Sequence, residues 1–246
     1  MAAVHDPEDL ADSPGARHAR ADRGLFGAAA LVAAFVVVAG FAPTYYLKAH
    51  FGTPPLPSAL VHLHGMVMTA WFALFLVQVR LVATRRIEWH RRLGLAGIGL
   101  AVLLVAIGTL TAIAAAKAGR APPGPPPLVF LAIPLGDMVV FPILFGLAVA
   151  YRRRSDFHKR FMLLASLSLL TAAIARYEVL QSGGLPLFFG AMDALLLAFI
   201  AIDTVQRRRL HPAFVAGFVL ILVSQVARFV GAGTPQWIAF ATWLTQ

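Results

Sequence analysis

Two short passages carry the same three-part turn. Ile87-Glu-Trp-His90-Arg-Arg and Ser155-Asp-Phe-His158-Lys-Arg each present a histidine followed by two basic residues, just ahead of a long apolar run. Two neutral imidazoles at matching depth on facing helices can hold a haem iron from both sides. Arg91, Arg92, Lys159 and Arg160 would then stand beside the propionates. The plainer reading of the same residues is a boundary histidine next to basic anchors at headgroup level.

Other polar residues interrupt apolar runs, where an ionisable group is costly and marks a site with a partner to be named. His62 and His64 are two apart, so on a helix they point about 200° apart and at most one faces inward. His64 is the inward choice, because His64, Met68, Trp71, Phe75 and Gln78 form one stripe at helical spacing. Arg176 follows His158 by 18 residues, about 27 Å further along a helix. Arg228 is placed similarly on the last long run, and Asp137 and Asp193 fall near the middle of theirs. One reading gathers His64, Arg176, Arg228 and Asp193 into a polar pocket for an anionic or quinone-like head group. The other lets both arginines snorkel to the outer headgroups. Arg176 and Glu178 are too close in sequence to meet on one helix face. Asp203 with Arg207, Arg208 and Arg209 reads as a helix-end ion pair.

These residues must be positioned by something unlike a soluble domain. Of 246 residues 59% are hydrophobic and 13% charged, against about 25% charged in soluble chains. That composition excludes a soluble enzyme, a disordered chain and a coiled coil. With no cysteine there is no disulfide, thiolate metal site or cysteine nucleophile. No serine triad, Walker loop or paired-carboxylate site is present. Seven stretches are long and apolar enough to cross a bilayer: Leu25–Leu47, Ala59–Val82, Leu93–Ala116, Pro127–Ala150, Phe161–Leu180, Leu185–Val205 and Pro212–Val230. The expected fold is therefore an all-α bundle of seven transmembrane helices. The last stretch has no lysine in its interior, which excludes a retinal Schiff base there.

Breakers separate the runs: GTPPLPS, APPGPPP and QSGG. Gly94, Gly97 and Gly99 on the third stretch are expected to allow close helix approach. Residues 1–24 are polar and mixed in charge and are expected to form a disordered cytoplasmic tail. Residues 25–234 form the membrane domain, and residues 235–246, with Trp237 and Trp243, an interfacial segment.

The basic residues give the orientation. Arg17, Arg20, Arg23, the Arg80–Arg92 loop, the Arg152–Arg160 loop and Arg207–Arg209 place sixteen on one side, against Lys48, Lys117 and Arg120 on the other. The positive-inside rule puts the N-terminus in the cytoplasm. The formal charge of +10 then answers to anionic lipid headgroups and needs no nucleic acid. The two His-basic-basic turns each sit between an out-to-in and an in-to-out run, which suggests duplicated hairpins.

The spacing His64-x13-Gln78-x11-His90-Arg-x-x-Gly94, then His158-x-x-x-Met162 and Ala-x-x-Arg176, resembles an uncharacterised family of predicted bacterial multi-pass membrane proteins, a domain of unknown function. The likeness covers roughly residues 60–180 and implies a multi-pass protein of the bacterial inner membrane, with no activity to carry over. The chain is more loosely similar to the membrane cytochromes b with paired histidines on four consecutive helices. That likeness implies haem b held by His90 and His158. It does not carry over a second haem, because the fourth stretch lacks the histidine that would partner His64. Two functions follow as expectations: a membrane protein with a polar site in its outer half, or a haem-binding electron-transfer protein.

Overall fold

The computed structural model describes residues 14–177, 180 and 184–246. Among these residues there is no strand. Seven helices are long and apolar enough to cross a membrane, so the chain is an all-α, multi-pass membrane protein. The long elements are α1 Pro14–Phe41, α2 Ala59–Ala83, α3 Ile87–Lys117, α4 Ala132–Ala150, α5 Ser155–Ser168, α6 Gly184–Arg207, α7 Pro212–Gly231 and a terminal α8 Pro235–Thr245. With no backbone partner available from lipid, each crossing segment closes its hydrogen bonds internally as helix.

Local sequence sets where these helices start and stop. Ser58 Oγ accepts the Val61 amide and opens α2. Thr234 Oγ1 accepts the Trp237 amide and opens α8, while Pro212 stands at the start of α7, where its missing N–H costs nothing. Arg85 adopts φ 59° and reverses the chain between α2 and α3. The turns between α2 and α3 and between α4 and α5 are short, so each pair forms an antiparallel hairpin.

Two expected boundaries are corrected. The first helix begins at Pro14, not Leu25, so the end of the expected tail is helical; residues 1–13 lie outside the described residues. The fifth stretch is not continuous. Helix α5 ends at Ser168, and a single turn, Thr171–Ile174, follows. Ser168 Oγ donates to the Ala165 carbonyl and Thr171 Oγ1 to the Ser168 carbonyl. Hydroxyls that bond their own backbone in this way compete with the helical ladder.

Helix α5 is the centre of the bundle. Leu163, Leu164, Ala165, Ser166, Leu167 and Ser168 are all buried, whereas α3 exposes Leu95, Val102 and Leu110 to the surroundings. Ala29, Ala30 and Ala33 are buried along one face of α1. One turn beyond Val37, a Cβ on Gly40 would come within 2.6 Å of the Ala173 carbonyl, so only glycine lets these backbones meet. Of the expected glycines on α3, Gly94 and Gly97 face Gln78 and Leu74 of α2, while a Cβ on Gly99 would meet nothing.

Helix α8 folds back beside α3. The Trp237 indole donates to the Leu128 carbonyl at 2.8 Å, and Lys117 Nζ donates to the Gln246 carbonyl.

Candidate functional site

The hairpin bends bring the two histidines together. His90 lies in the first turn of α3 and His158 in the first turn of α5. Their ring centroids are 6.2 Å apart and their planes stand at 83°. His158 Nδ1 donates to the Ala148 carbonyl at 2.7 Å. A carbonyl can only accept, so Nδ1 carries a proton, and in the neutral ring Nε2 is then the nitrogen with the lone pair. This is how a metal-bound histidine is commonly held, by its second nitrogen on a backbone carbonyl.

The centroid spacing can be set against that of two imidazoles whose nitrogens share a metal ion. A metal–imidazole bond of about 2 Å on each side, with about 1 Å from each nitrogen to its ring centre, separates two centroids by about 6 Å. Among the described residues, no group of three or more His, Asp or Glu side chains converges on a metal-sized site. Two imidazoles alone would leave the remaining positions of a bound metal to be filled by a group from outside the chain.

The inward stripe of α2 lies where its spacing predicts. Trp71 and Phe75 are buried, His64, Met68 and Gln78 are half-buried, and His62 is exposed. Trp71 packs edge-on against Phe141 and Phe145 of α4, at 4.9 and 5.6 Å. Next to His90 the polar groups are not all satisfied. The Gln78 backbone carbonyl approaches the His90 ring, yet His90 Nδ1 is buried without a partner at hydrogen-bond geometry, and so is Gln78 Oε1. Trp71 Nε1 and Ser166 Oγ are also buried and unpaired. Such atoms are few in native proteins, and each calls for an explanation.

Three of the four basic residues expected beside the propionates are committed elsewhere. Arg92 pairs with Glu88 at 2.5 Å. Lys159 pairs with Asp22 of α1 at 2.5 Å. Arg160 turns to the opposite side of α5, as a residue two positions from His158 must. It makes a bidentate pair with Asp203 of α6, Nη2 to Oδ1 at 2.6 Å and Nε to Oδ2 at 3.1 Å. Both side chains are fully buried. Arg207 also reaches Asp203 at 3.2 Å and pairs with Asp22. The end of the expected tail is thus tied to α5 and α6. Asp203 does pair with Arg207, four residues on, but its stronger partner is on another helix, which spacing within α6 cannot reveal.

His211 closes this end. Its Nδ1 accepts the Ala213 amide at 3.2 Å, and its Nε2 lies 3.4 Å from Asp156 Oδ2. Burial, and then the nearby charge of Arg160, hold its pKa below the ordinary histidine value, against the raising effect of Asp156 and Asp203.

The expected outer group is divided. Arg228 of α7 donates to Asp137 Oδ1 at 2.7 Å, to the Ile133 carbonyl at 3.1 Å and to Ser224 Oγ at 3.0 Å. A Cβ on Gly136 would collide with the guanidinium, so glycine forms its seat. Gln225 Nε2 donates to Asp193 Oδ1 at 2.9 Å. Beside them lies a cavity of about 10 Å³, bounded by Asp137, Ser168, Thr171, Gln225 and Arg228 among others. It has room for about one water. Arg176 leans the other way, over the Phe41 ring at 4.1 Å and onto the Ala172 carbonyl and Thr44 of the first span. It stays within electrostatic range of His64. Arg228 is bound among α4, α6 and α7, so it is not a partner to that pair. Glu178 lies outside the described residues.

Comparison of the chain with protein-family models, with curated proteins and with solved structures gives no match. The reading of the site therefore rests on its own geometry.

Proposed function

We propose that this protein is a membrane haem protein in which His90 and His158 hold one iron from opposite sides, and that it carries electrons within a bacterial inner membrane with its N-terminus in the cytoplasm. The observation that carries the reading is the pair of imidazoles 6.2 Å apart, one of them already oriented by a backbone carbonyl. Bound there, haem b supplies a one-electron ferric–ferrous couple. The chain's own contribution is to orient both rings, to keep Nε2 of His158 available, and to enclose the site between α2, α3, α4 and α5. The basic turns at this end would meet anionic headgroups.

The alternative site in the outer half is a weaker basis for function. Its Asp137–Arg228 pair is closed on itself, and the adjoining cavity holds no more than about one water.

An absorption spectrum of the detergent-extracted protein, made in haem-replete cells, tests the proposal. A Soret band is expected in the wild type. It should be lost in His90→Ala and in His158→Ala and kept in His64→Ala. A folded, monodisperse and colourless wild-type protein would overturn the reading.

A further inference from the structure

Away from the histidine pair, the interior of the bundle holds little charge. Along residues 25–41, 130–150, 161–174, 184–202 and 213–231, which supply α1 and α4 to α7, the titratable residues are Asp137, Asp193 and Arg228. Two acids therefore stand against one base. Arg228 is committed to Asp137, with Nη1 2.7 Å from Oδ1. Its guanidinium also lies 5.7 Å from the ring of Phe189 on α6, one helical turn from Asp193. Asp193 itself meets a neutral group: the Gln225 amide donates from Nε2 to its Oδ1 at 2.9 Å. Among the described residues, no lysine, arginine or histidine lies within ion-pair distance of Asp193.

The surroundings of Asp193 are apolar on one side and polar on the other. It lies about 14 Å along α6 from Gly184, in a helix about 36 Å long. Gly190 and Leu197, three before it and four after, are exposed and share its face, so its open edge meets hydrocarbon. Toward the interior, Gln225 is buried. It lines the one-water cavity together with Asp137, Arg228 and the two hydroxyl residues at the break in α5, Ser168 and Thr171.

We propose that Asp137, Asp193 and Arg228 form a proton-binding site within the membrane, which holds one proton between its two carboxyls and rests it on Asp193. The charge count gives the reason. One guanidinium balances one carboxylate, and in hydrocarbon a second carboxylate has nothing to balance it. One bound proton makes the group neutral. Arg228 sits on Asp137, so the proton falls to Asp193. Its passage to Asp137, by way of a single water for which the cavity has room, leaves the total charge unchanged. An O–H bond breaks at one carboxyl and forms at the other, and the guanidinium balances whichever is ionised. Acids arranged in this way inside membranes serve as proton relays.

Dicyclohexylcarbodiimide, a lipid-soluble reagent that adds to protonated carboxyls, is the first probe. It is applied to the full-length protein in detergent at neutral pH, and the modified residue is located by mass spectrometry. One adduct is expected, on Asp193, and none in Asp193→Asn. Asp137→Asn removes an acid and leaves Arg228 to balance Asp193, so labelling of Asp193 should fall severalfold although that residue is unchanged. A merely structural role for Asp137 would leave the labelling equal, or raise it by loosening the helices. Infrared spectroscopy gives a second measurement that needs no access for a reagent. The C=O band of a protonated carboxyl is expected in the wild type at neutral pH and should be lost in Asp193→Asn. A wild type without that band, or a band that persists in Asp193→Asn, would overturn the site. Undiminished labelling of Asp193 in Asp137→Asn would overturn the sharing of one proton. The site stands apart from the haem reading: a colourless wild type would remove the haem and leave each of these outcomes as it is.

Discussion

The Arg160–Asp203 pair and the His90–Gln78 neighbours lie at the same end of the bundle, on opposite sides of α5. On the α6 side the pair is saturated: Arg160 makes three bonds to Asp203 and a fourth, from Nη1, to the Asp156 carbonyl at 2.7 Å. On the α2–α3 side, buried donors and acceptors stand unpaired. Both arrangements are costly to bury, and only the first offsets that cost with internal bonds. The contrast separates two uses of polarity inside a membrane bundle. A saturated cluster fixes helices to one another. An unsaturated one, next to two histidine rings 6.2 Å apart, is where chemistry is to be sought.

The largest break in this contrast should come from Asp203→Ala. Removing one member of a fully buried pair leaves an uncompensated charge and costs about 3–5 kcal/mol. The variant should lose most of its monodisperse material in size-exclusion chromatography, and replacing Arg160 and Asp203 together by Met and Leu should recover much of it. Gly136→Ala comes next. Its methyl group displaces the Arg228 guanidinium from Asp137, an overpacking of about 1–3 kcal/mol, seen as a lower melting temperature in detergent. Asp22→Ala should do less, about 1 kcal/mol or below, because its pairs with Lys159 and Arg207 are a quarter exposed. Equal losses in Asp22→Ala and Asp203→Ala would show that burial does not set the strength of this network.

The smallest effect is a pH dependence. The folded pKa of His211 is lowered, so below the ordinary histidine value the unfolded chain binds the proton more readily than the native one. Stability from the neutral ring is present above about pH 6.5 and is lost as pH falls through the lower folded value. His211→Asn keeps an acceptor for the Ala213 amide and should flatten the melting temperature between about pH 7 and pH 5. A variant as acid-sensitive as the wild type would place the dependence on another group.

The crossing helices were legible because lipid allows little else: twenty or so apolar residues between breakers have one solution. The proximity of His90 and His158 was legible for a similar reason. Two short turns with the same His-basic-basic order put both imidazoles at one depth, and adjacent hairpins do the rest. The choice of His64 over His62 followed from helical spacing alone. Partnerships between helices were not legible. Nothing in the pattern says that Arg160 turns to Asp203 and not toward the histidines, or that Arg228 belongs to Asp137 and not to His64. Those choices depend on how the helices rotate and tilt, which packing settles. The break after Ser168 was hidden too, because Ser168 and Thr171 sit in a run whose hydropathy alone reads as unbroken helix.

The position of α5 has a consequence for how the chain is made. With the turn that follows it, α5 forms the crossing segment Ser155–Ile174, the least hydropathic of the seven, and 72% of its most apolar stretch is buried by protein, against 22% for α3. Its residues partition into lipid poorly when alone. The membrane insertion machinery therefore has to deliver α5 with its neighbours in place, and a nascent chain released before α6 and α7 emerge should let this segment slip back into water.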